Sequence, residues 1–171
     1  MITIRPEISD DYNKIYEINK QAFGSEVEAR LVNNLRKTEG FVPQLSLIAI
    51  KDKEIVGHIL FSIIHIQTGD KKIPILALAP IAVLPKYQNQ GIGSSLVKEG
   101  LRKCKEMKFQ AVVLVGHPEY YPRFGFTPAN KKGLKLPFDA PNNAFMIYEL
   151  VPGALKGVSG TIVYPIEFAE E

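Results

Sequence analysis

Residues 75–108 read ILALAPIAVLPKYQNQGIGSSLVKEGLRKCKEMK, and this stretch decides how the rest of the chain is interpreted. An apolar run ends at Pro85, and two glycines, Gly91 and Gly93, then precede apolar residues that recur every three to four positions. The pattern predicts a strand, a glycine-rich turn and a helix. The start of a helix presents unpaired N–H groups and the positive end of the helix dipole, and glycine lets a ligand approach the backbone closely. The stretch therefore predicts a site for a phosphorylated ligand.

The spacing of the glycines excludes two common phosphate-binding motifs. A P-loop requires Gly-Lys-Ser/Thr, whereas this chain reads Gly91-Ile92-Gly93-Ser94. A dinucleotide fingerprint requires a third glycine where Leu96 stands and an acidic residue at the end of the next strand. Residues 109–117 contain neither Asp nor Glu. We therefore expect neither a P-loop nucleotide site nor a dinucleotide site.

Two motifs in the chain resemble those of the GNAT superfamily, the acetyl-CoA-dependent N-acetyltransferases. Gln88, Gly91 and Gly93 follow the pattern Gln-x-x-Gly-x-Gly of its pyrophosphate loop. After the next strand, residues 116–126 read GHPEYYPRFGF and are similar to its Tyr-x-x-x-Gly-Phe element, with Tyr121 four positions before Gly125. Residues 25–35 and 145–168 further resemble the YhbS-like subgroup, so the resemblance covers nearly the whole chain.

The resemblance implies an α/β fold with a mixed, mostly antiparallel, twisted sheet of six to seven strands. About four helices would flank this sheet, which would open as a V between its central strands. The 171 residues, 46% of them hydrophobic, suit one domain spanning residues 1–171. Pro80 lies inside the predicted central strand and removes one hydrogen-bond donor, which predicts a bulge or an unpaired edge there.

The resemblance also implies a binding site for acetyl-CoA. Backbone N–H groups of the glycine loop would bind the pyrophosphate, and the strand before the loop would align the pantetheine arm. The expected cofactor-binding residues are Ile81, Ala82, Val83, Gln88, Asn89, Gln90, Gly91, Ile92, Gly93 and Ser94. We expect most of the loop residues to act through their backbone. An ordinary strand-to-helix turn is the alternative interpretation of the two glycines.

Tyr121 is the candidate general acid. The resemblance gives it the role of donating a proton to the coenzyme A thiolate as the thiolate leaves. A phenol with a pKa of ~10 is protonated at neutral pH and can serve a thiolate whose conjugate acid has a pKa of ~8.5. Tyr120 lies about 100° around a helix from Tyr121, so we expect only one of them to face the sulfur. A packing role is the alternative for Tyr121.

Glu28 is the candidate for binding the acceptor amine or taking its proton. It falls inside the apolar stripe of a predicted helix over residues 25–35. The alternative is a capping box in which the Glu28 side chain bonds to the amide of Ser25. Help with deprotonation matters, because an alkylammonium with a pKa of ~10.4 is neutral at pH 7 only about once in 2,500, a cost of roughly 4.6 kcal/mol.

The single cysteine and the three histidines are the other residues whose side chains could take part in the chemistry. Cys104 lies on the apolar face of the helix after the glycine loop, so we expect it to be buried, with no covalent enzyme intermediate. His117 is a second candidate base, whereas His58 and His65 are expected to be structural. The spacing of the histidines predicts no metal site.

Taken together, the sequence predicts an N-acetyltransferase that moves an acetyl group to a primary amine of a small molecule or peptide by direct attack in a ternary complex. A non-catalytic acetyl-CoA-binding sensor or adaptor domain is the alternative. A formal charge of +3 without a long basic run does not favour nucleic-acid binding. The single cysteine and the lack of a long apolar run favour a soluble cytoplasmic protein without membrane contact. The resemblance also allows a homodimer, while the oligomeric state, the acceptor, the general base and the use of other acyl groups stay open.

Overall fold

The computed structural model describes residues 1–169, in which nine strands form one sheet and three α-helices pack on it. The helices are α1 (Tyr12–Phe23), α2 (Val27–Leu35) and α3 (Ile92–Glu106). The strands are β1 (Ile2–Pro6), β2 (Phe41–Lys51), β3 (Glu54–Thr68), β4 (Lys71–Val83), β5 (Ala111–Val115), β6 (Thr127–Pro128), β7 (Leu134–Lys135), β8 (Phe145–Glu149) and β9 (Gly160–Val163).

The sheet has the order β1-β2-β3-β4-β5-β8-β6, and β9 pairs with the far end of β3 and with β7. The pairs β4–β5 and β7–β9 are parallel, and the other pairs are antiparallel. The predicted mixed, mostly antiparallel α/β sheet is therefore confirmed.

The two central strands, β4 and β5, separate after a short parallel contact. They pair only at Leu76 with Val112 and at Ala77 with Val113. Beyond Ala77, β4 stays paired with β3 up to Val83, so the side of β4 that faced β5 loses its partner. The sheet therefore has the V-shaped opening that the family resemblance implied.

A bulge interrupts β4 where the sequence predicted one. Leu78 pairs with Phe61 and Ile81 pairs with Ile59, so Ala79 and Pro80 stand opposite the single residue Leu60. Proline has no N–H to donate to the strand ladder, which explains why the extra residue is accommodated here. The bulge sits where β4 leaves β5, and residues 81–83 follow it.

The helices cover the two faces of the sheet with apolar residues. α3 buries Leu96, Val97 and Cys104 against a core that includes Phe61, and the Phe61 ring lies so close to Gly100 that a Cβ there has no room. α1 and α2 cover the other face, where Ile15, Val32, Leu35, Ile48 and Leu60 form a second cluster. α1 ends at Gly24, whose φ of 71° is in the left-handed region that glycine favours.

The numbers of strands and helices differ from the expectation of six to seven strands and about four helices. β6 and β7 contain two residues each and lie in the irregular segment, where two residues leave no periodic signal. After β5 the described chain has no fourth α-helix but several short 3₁₀ turns, the first of which is Tyr121–Phe124 with Pro122 in its first turn. No helix within residues 1–169 is long and apolar enough to cross a membrane.

The predicted capping box at α2 is wrong. Glu26 is the N-cap residue and makes no side-chain cap bond, so α2 begins one residue later than the motif requires. Ser25 Oγ accepts a long hydrogen bond of 3.4 Å from the Val27 amide. Glu28 therefore stands second in the helix instead of third, and its Oε1 is buried without a hydrogen-bond partner among the described residues.

Candidate active site

A groove of about 540 Å³ lies between the end of β4, the start of α3 and the segment after β5. We call it the α3 groove. It is lined by Ile81, Ala82, Val83, Tyr87, Gln88, Asn89, Gly91, Ile92, Gly93, Ser94, His117, Tyr120, Tyr121 and Arg123. The fold thus brings nine of the ten predicted cofactor-binding residues together with Tyr121. Gln90 is not in the lining, and its side chain instead accepts a hydrogen bond of 2.7 Å from Lys51 Nζ.

The glycine loop presents a row of backbone donors to this groove. The first hydrogen bond of α3 runs from the Ser95 amide to the Gly91 carbonyl, at 3.0 Å. The amides of residues 89–94 donate no hydrogen bond to any residue in the described part of the chain. Together with the positive end of the α3 dipole, these N–H groups suit a diphosphate.

Glycine stands at the two positions of the loop for different physical reasons. Gly91 has a φ of 83°, so any side chain there would strain the backbone. Gly93 does not have a positive φ, and a Cβ built on it would meet only ordinary contacts, 3.6 Å from the Tyr120 hydroxyl and 4.0 Å from Val83. The protein alone therefore does not require glycine at position 93, whereas a ligand packed on the backbone would.

Gln88 has a structural bond that sequence reasoning missed. Its Nε2 donates a hydrogen bond of 2.9 Å to the Val83 carbonyl, and its own amide donates to the Pro85 carbonyl at 3.3 Å. The side chain thus ties the loop to the end of β4. The sequence predicts that Gln88 acts mainly through its backbone, and spacing alone does not reveal the pairing with Val83.

Tyr120 and Tyr121 both line the α3 groove, but their hydroxyls are in different situations. The Tyr120 hydroxyl lies 2.9 Å from Ser94 Oγ, and its ring stands edge-on to the Tyr121 ring with centroids 5.1 Å apart. Tyr121 is 8% exposed, and its hydroxyl has no hydrogen-bond partner among residues 1–169. Burial, and secondarily the neighbouring Tyr120, raises the pKa of Tyr121 to about 12. Tyr121 therefore keeps its proton at neutral pH.

Two further residues after β5 shape this wall of the groove. A Cβ on Gly116 would come within 2.7 Å of the Tyr121 ring, so the ring fits only because residue 116 is glycine. Arg123 donates from Nε to the Tyr120 carbonyl at 2.9 Å and holds its guanidinium 4.4 Å from the centre of the Tyr120 ring. Arg123 thus adds a positive charge to the groove that the glycine loop also lines.

The predicted bases lie in different places. His117 lines the α3 groove, and its carbonyl accepts bonds from the amides of Tyr120 and Tyr121. Glu28 is half-buried on α2 and is not among the lining residues of this groove. Cys104 is buried, as predicted, and burial raises the pKa of its thiol to about 12, which leaves no thiolate at neutral pH.

A second groove, of about 610 Å³, lies beside the diverging parts of β4 and β5, and we call it the apolar groove. Sequence reasoning missed it, because its walls come from four separate parts of the chain and share no motif. Its lining residues are Ala77, Leu78, Ala79, Val113, Leu114, Val115, Pro137, Phe138, Thr161, Ile162, Val163, Tyr164, Pro165, Ile166, Phe168 and Ala169.

The open mixed α/β sheet with a glycine loop at the N-terminus of α3 defines the class of fold, and the loop amides, which have no partner among residues 1–169, suit a phosphorylated ligand. Comparison with known families matches residues 3–129 to the family described as the acetyltransferase (GNAT) domain. The chain is 37% identical over 166 residues to the uncharacterized N-acetyltransferase YhbS of Escherichia coli, covering 96% of this chain and 97% of YhbS. It is also 41% identical over 133 residues to the uncharacterized N-acetyltransferase YjhQ of the same species, covering 77% of this chain and 73% of YjhQ.

Solved structures agree with these matches. The crystal structure of YhbS in complex with CoA superposes with a TM-score of 0.91 at 34% identity, covering 99% of this chain and 92% of that one. A GNAT family acetyltransferase from Brucella melitensis in complex with acetyl-CoA has a TM-score of 0.80 at 28% identity, covering 98% of both chains. The chain therefore belongs to the GNAT family of N-acetyltransferases.

Proposed function

We propose that residues 1–171 form one acetyltransferase domain that transfers an acetyl group from acetyl-CoA to a primary amine of a small molecule or peptide. The observation that carries the proposal is the row of amides in residues 89–94, which donate no hydrogen bond to residues 1–169, beside the edge of β4 that leaves β5. The complexes of YhbS with CoA and of the Brucella protein with acetyl-CoA support it.

The α3 groove suits coenzyme A along its length. The amides of residues 89–94 would bind the diphosphate, and Gly93 would let it approach the backbone. Arg123 adds a positive charge nearby, fixed by its bond to the Tyr120 carbonyl. The backbone of Ile81, Ala82 and Val83, which has no strand partner on the β5 side, would bond to the pantetheine arm.

The reaction needs three events at the end of that arm. The neutral amine forms a bond from its nitrogen to the thioester carbonyl carbon, the C–S bond breaks, and the nitrogen loses a proton while the sulfur gains one. The thioester supplies the activated acetyl group, so the chain needs no covalent intermediate of its own, in accord with the buried Cys104.

Tyr121 would supply the proton that the sulfur gains. Its raised pKa of about 12 keeps the proton in place before the reaction, and its unpartnered hydroxyl is free to donate. A phenol of that pKa is a weak acid toward a thiolate in water. The thiolate would form in the same buried groove, however, where desolvation raises the pKa of its conjugate acid as well. The difference in pKa between the Tyr121 phenol and the coenzyme A thiol is therefore smaller in the groove than in water.

The proton that the nitrogen loses has two candidate acceptors, His117 and Glu28. His117 lines the groove that also contains Tyr121. Glu28 has a buried oxygen without a partner in residues 1–169, but it lines neither the α3 groove nor the apolar groove. Because Glu28 lines neither groove, we propose His117 as the base in preference to Glu28.

A paired measurement tests the proposal. Calorimetry with coenzyme A should show saturable binding, and a screen of primary amines with acetyl-CoA should release free thiol together with acetylated amine. Binding without any acetylated product across the screen would favour the sensor or adaptor alternative. Absence of coenzyme binding would overturn the proposal altogether.

A further inference from the structure

We propose that the apolar groove seats the acceptor, and that the acceptor is a primary amine of low basicity carried on an apolar body of aromatic size. This inference rests on the proposed acetyl transfer and specifies the class of amine. It sets such an acceptor apart from polycationic amines, which need acidic walls.

The position of the apolar groove suits an acceptor. Ala79 of β4 lines it, whereas Ile81, two residues further on, lines the α3 groove. Val115 at the end of β5 also lines it, whereas His117, again two residues further on, lines the α3 groove. The two grooves therefore adjoin the same gap between β4 and β5, where the acyl end of a pantetheine arm would arrive.

The walls of the apolar groove, as far as residues 1–169 form them, offer no charge to an ammonium ion. Among the described lining residues Tyr164 is the one titratable side chain, and burial raises its pKa to about 12, so it is neutral at physiological pH. A cation that leaves water for such walls loses its hydration without gaining a partner. The groove therefore selects amines that enter in the neutral form.

Aromatic rings give the groove its shape. Phe138 and Tyr164 have ring centroids 5.8 Å apart, and Tyr164 and Phe168 have centroids 5.0 Å apart. At the mouth, Val115 is 42% exposed, Phe138 50% and Ile166 71%, which is a cluster of apolar side chains open to solvent. A volume of about 610 Å³ is in the range of small-molecule sites, roughly 300–1,000 Å³. An aromatic ring fits these walls, whereas a polyhydroxylated or polycationic body does not.

The preference for an amine of low basicity follows from the lack of a carboxylate in the part of the groove lining that the structure describes. An alkylamine with a pKa of ~10.4 is neutral about once in 2,500 at pH 7, whereas an α-amine with a pKa of ~7.7–8.0 is neutral between about one time in six and one in eleven. Because no acidic residue is among its described lining residues, the apolar groove itself recovers none of this difference. An α-amine next to a carbonyl group, as in an amino-acid amide, thus starts with an advantage of roughly 200- to 400-fold.

The test compares four acceptors in the thiol-release assay, with coenzyme binding measured in parallel by calorimetry. Phenylalaninamide has both features, glycinamide lacks the apolar body, phenethylamine has higher basicity, and spermidine is a polycation. We expect kcat/KM for phenylalaninamide to exceed that for each of the others by at least about 30-fold. Equal or faster turnover of spermidine or glycinamide would overturn the inference while leaving the acetyl transfer intact.

A second arm replaces acetyl-CoA by octanoyl-CoA with phenylalaninamide as the acceptor. We expect turnover to fall, because the acyl chain would compete with the acceptor for the apolar groove. A rise in turnover would assign the groove to the acyl chain and overturn the inference. Absence of coenzyme binding, or binding without acetylation of any amine, would instead overturn the proposed function.

Matched variants connect the result to the groove. Val115→Glu places a carboxylate at its mouth, and Val151→Glu makes the same change at a residue of similar exposure, 47%, outside the lining. We expect Val115→Glu to lower kcat/KM for phenylalaninamide at least about tenfold with coenzyme affinity unchanged, and Val151→Glu to change it less than twofold. If Val115→Glu does not fold, Phe138→Ala, at a half-exposed position, should lower kcat/KM for phenylalaninamide in the same way. Equal effects of the two glutamates would contradict the inference.

The last control concerns the two acidic residues that follow Ala169 in the sequence, Glu170 and Glu171, which lie outside the described residues. The double substitution Glu170→Gln and Glu171→Gln should leave the order of the four acceptors unchanged. A selective loss of spermidine turnover in this variant would show that the site recognises ammonium ions, and would overturn the inference.

Discussion

The hydroxyl groups of Ser94 and Tyr120 lie 2.9 Å apart and join the two walls of the α3 groove. Ser94 is in the first turn of α3, and Tyr120 belongs to the segment after β5, so this bond spans the region where β4 and β5 no longer pair. The Tyr120 ring in turn stands edge-on to the Tyr121 ring. This contact therefore links the glycine loop to the segment that carries the candidate acid, Tyr121.

Tyr120→Phe removes that contact without removing the ring. A hydrogen bond of this kind contributes about 0.5–1.5 kcal/mol, so we expect turnover or coenzyme affinity to fall by roughly two- to tenfold. Tyr148→Phe is the matched control, because Tyr148 lies outside the α3 groove. Steady-state kinetics measures turnover, and calorimetry measures coenzyme affinity. Equal turnover and equal affinity in the two variants would speak against a role for the contact between Ser94 and Tyr120.

Tyr121→Phe tests the general acid. Loss of a positioned proton donor costs on the order of 10²–10⁴-fold in rate, and the phenyl ring keeps the packing against Tyr120 and Phe126. We expect kcat to fall by at least about 100-fold with the Kd for coenzyme A and the melting temperature nearly unchanged. A variant with full kcat would remove Tyr121 from the mechanism.

Gly93→Ala tests whether a ligand packs on the loop. The added methyl meets only ordinary contacts in the protein, so the free energy of unfolding should change by less than about 1 kcal/mol. Coenzyme affinity should fall at least about tenfold, because the methyl group occupies space next to the free amides. Gly69→Ala is the control, since Gly69 has a positive φ of 60° and lies in a turn outside the groove. The Gly69→Ala variant should lose stability but keep its affinity for coenzyme A.

The pH dependence of the rate follows from the titrating groups. Tyr121, with a pKa of about 12, remains protonated and able to donate up to about pH 11. The amine becomes reactive as it loses its proton, so kcat/KM should rise about tenfold per pH unit below the pKa of the amine and then level off. A descending limb between pH 8 and 10, under conditions where the protein stays folded, would contradict Tyr121 as the acid.

A buried polar network connects the residue after β1, the strands β2 and β3, the helix α1 and the residue after α2. Arg36 Nε donates to Glu7 Oε2 at 2.8 Å, and Ser46 Oγ donates to Glu7 Oε1 at 2.5 Å. Asn19 Nδ2 donates to Nδ1 of His58 at 3.3 Å, which leaves the proton of His58 on Nε2, where it donates to Ser46 Oγ at 2.9 Å. Burial, and secondarily Arg36, lowers the pKa of His58 to about 3.

This network predicts a loss of stability in mild acid. Below pH 6.5 the unfolded chain takes up a proton on His58, whereas the folded protein does so only near pH 3, so stability falls as the pH drops through this window. Between pH 6.5 and 4.5 the contribution is roughly 2 kcal/mol. Urea titrations should show this slope in the wild type and a smaller one in His58→Gln. The substitution His65→Gln, on the same strand but outside the network, should keep the wild-type slope.

The sequence predicted the parts of the site that follow from local pattern. Gly91 and Gly93 could be assigned to the start of α3, because the apolar periodicity placed a helix there, and Pro80 could be assigned to a bulge because proline lacks a donor. The bond between Ser94 and Tyr120 could not be predicted, since it joins residues 26 positions apart whose meeting depends on the divergence of β4 and β5.

The α2 region shows why a local motif can fail. Ser25 and Glu28 have the spacing of a capping box, yet the helix begins after Glu26, which accepts a hydrogen bond of 2.6 Å from the Tyr16 hydroxyl of α1. α2 thus begins one residue later than the motif requires, and Glu26 at this start contacts the neighbouring helix α1. The apolar groove was missed for a similar reason, because Phe138 and Tyr164 meet only after the irregular segment has folded back on the sheet.

The most direct test of the account is a crystal structure of this protein with coenzyme A. The account predicts diphosphate oxygens within about 3 Å of amide nitrogens in residues 91–94, the pantetheine arm beside residues 81–83, and the sulfur near the Tyr121 hydroxyl. A diphosphate bound elsewhere, with the amides of the loop still without a ligand, would contradict it.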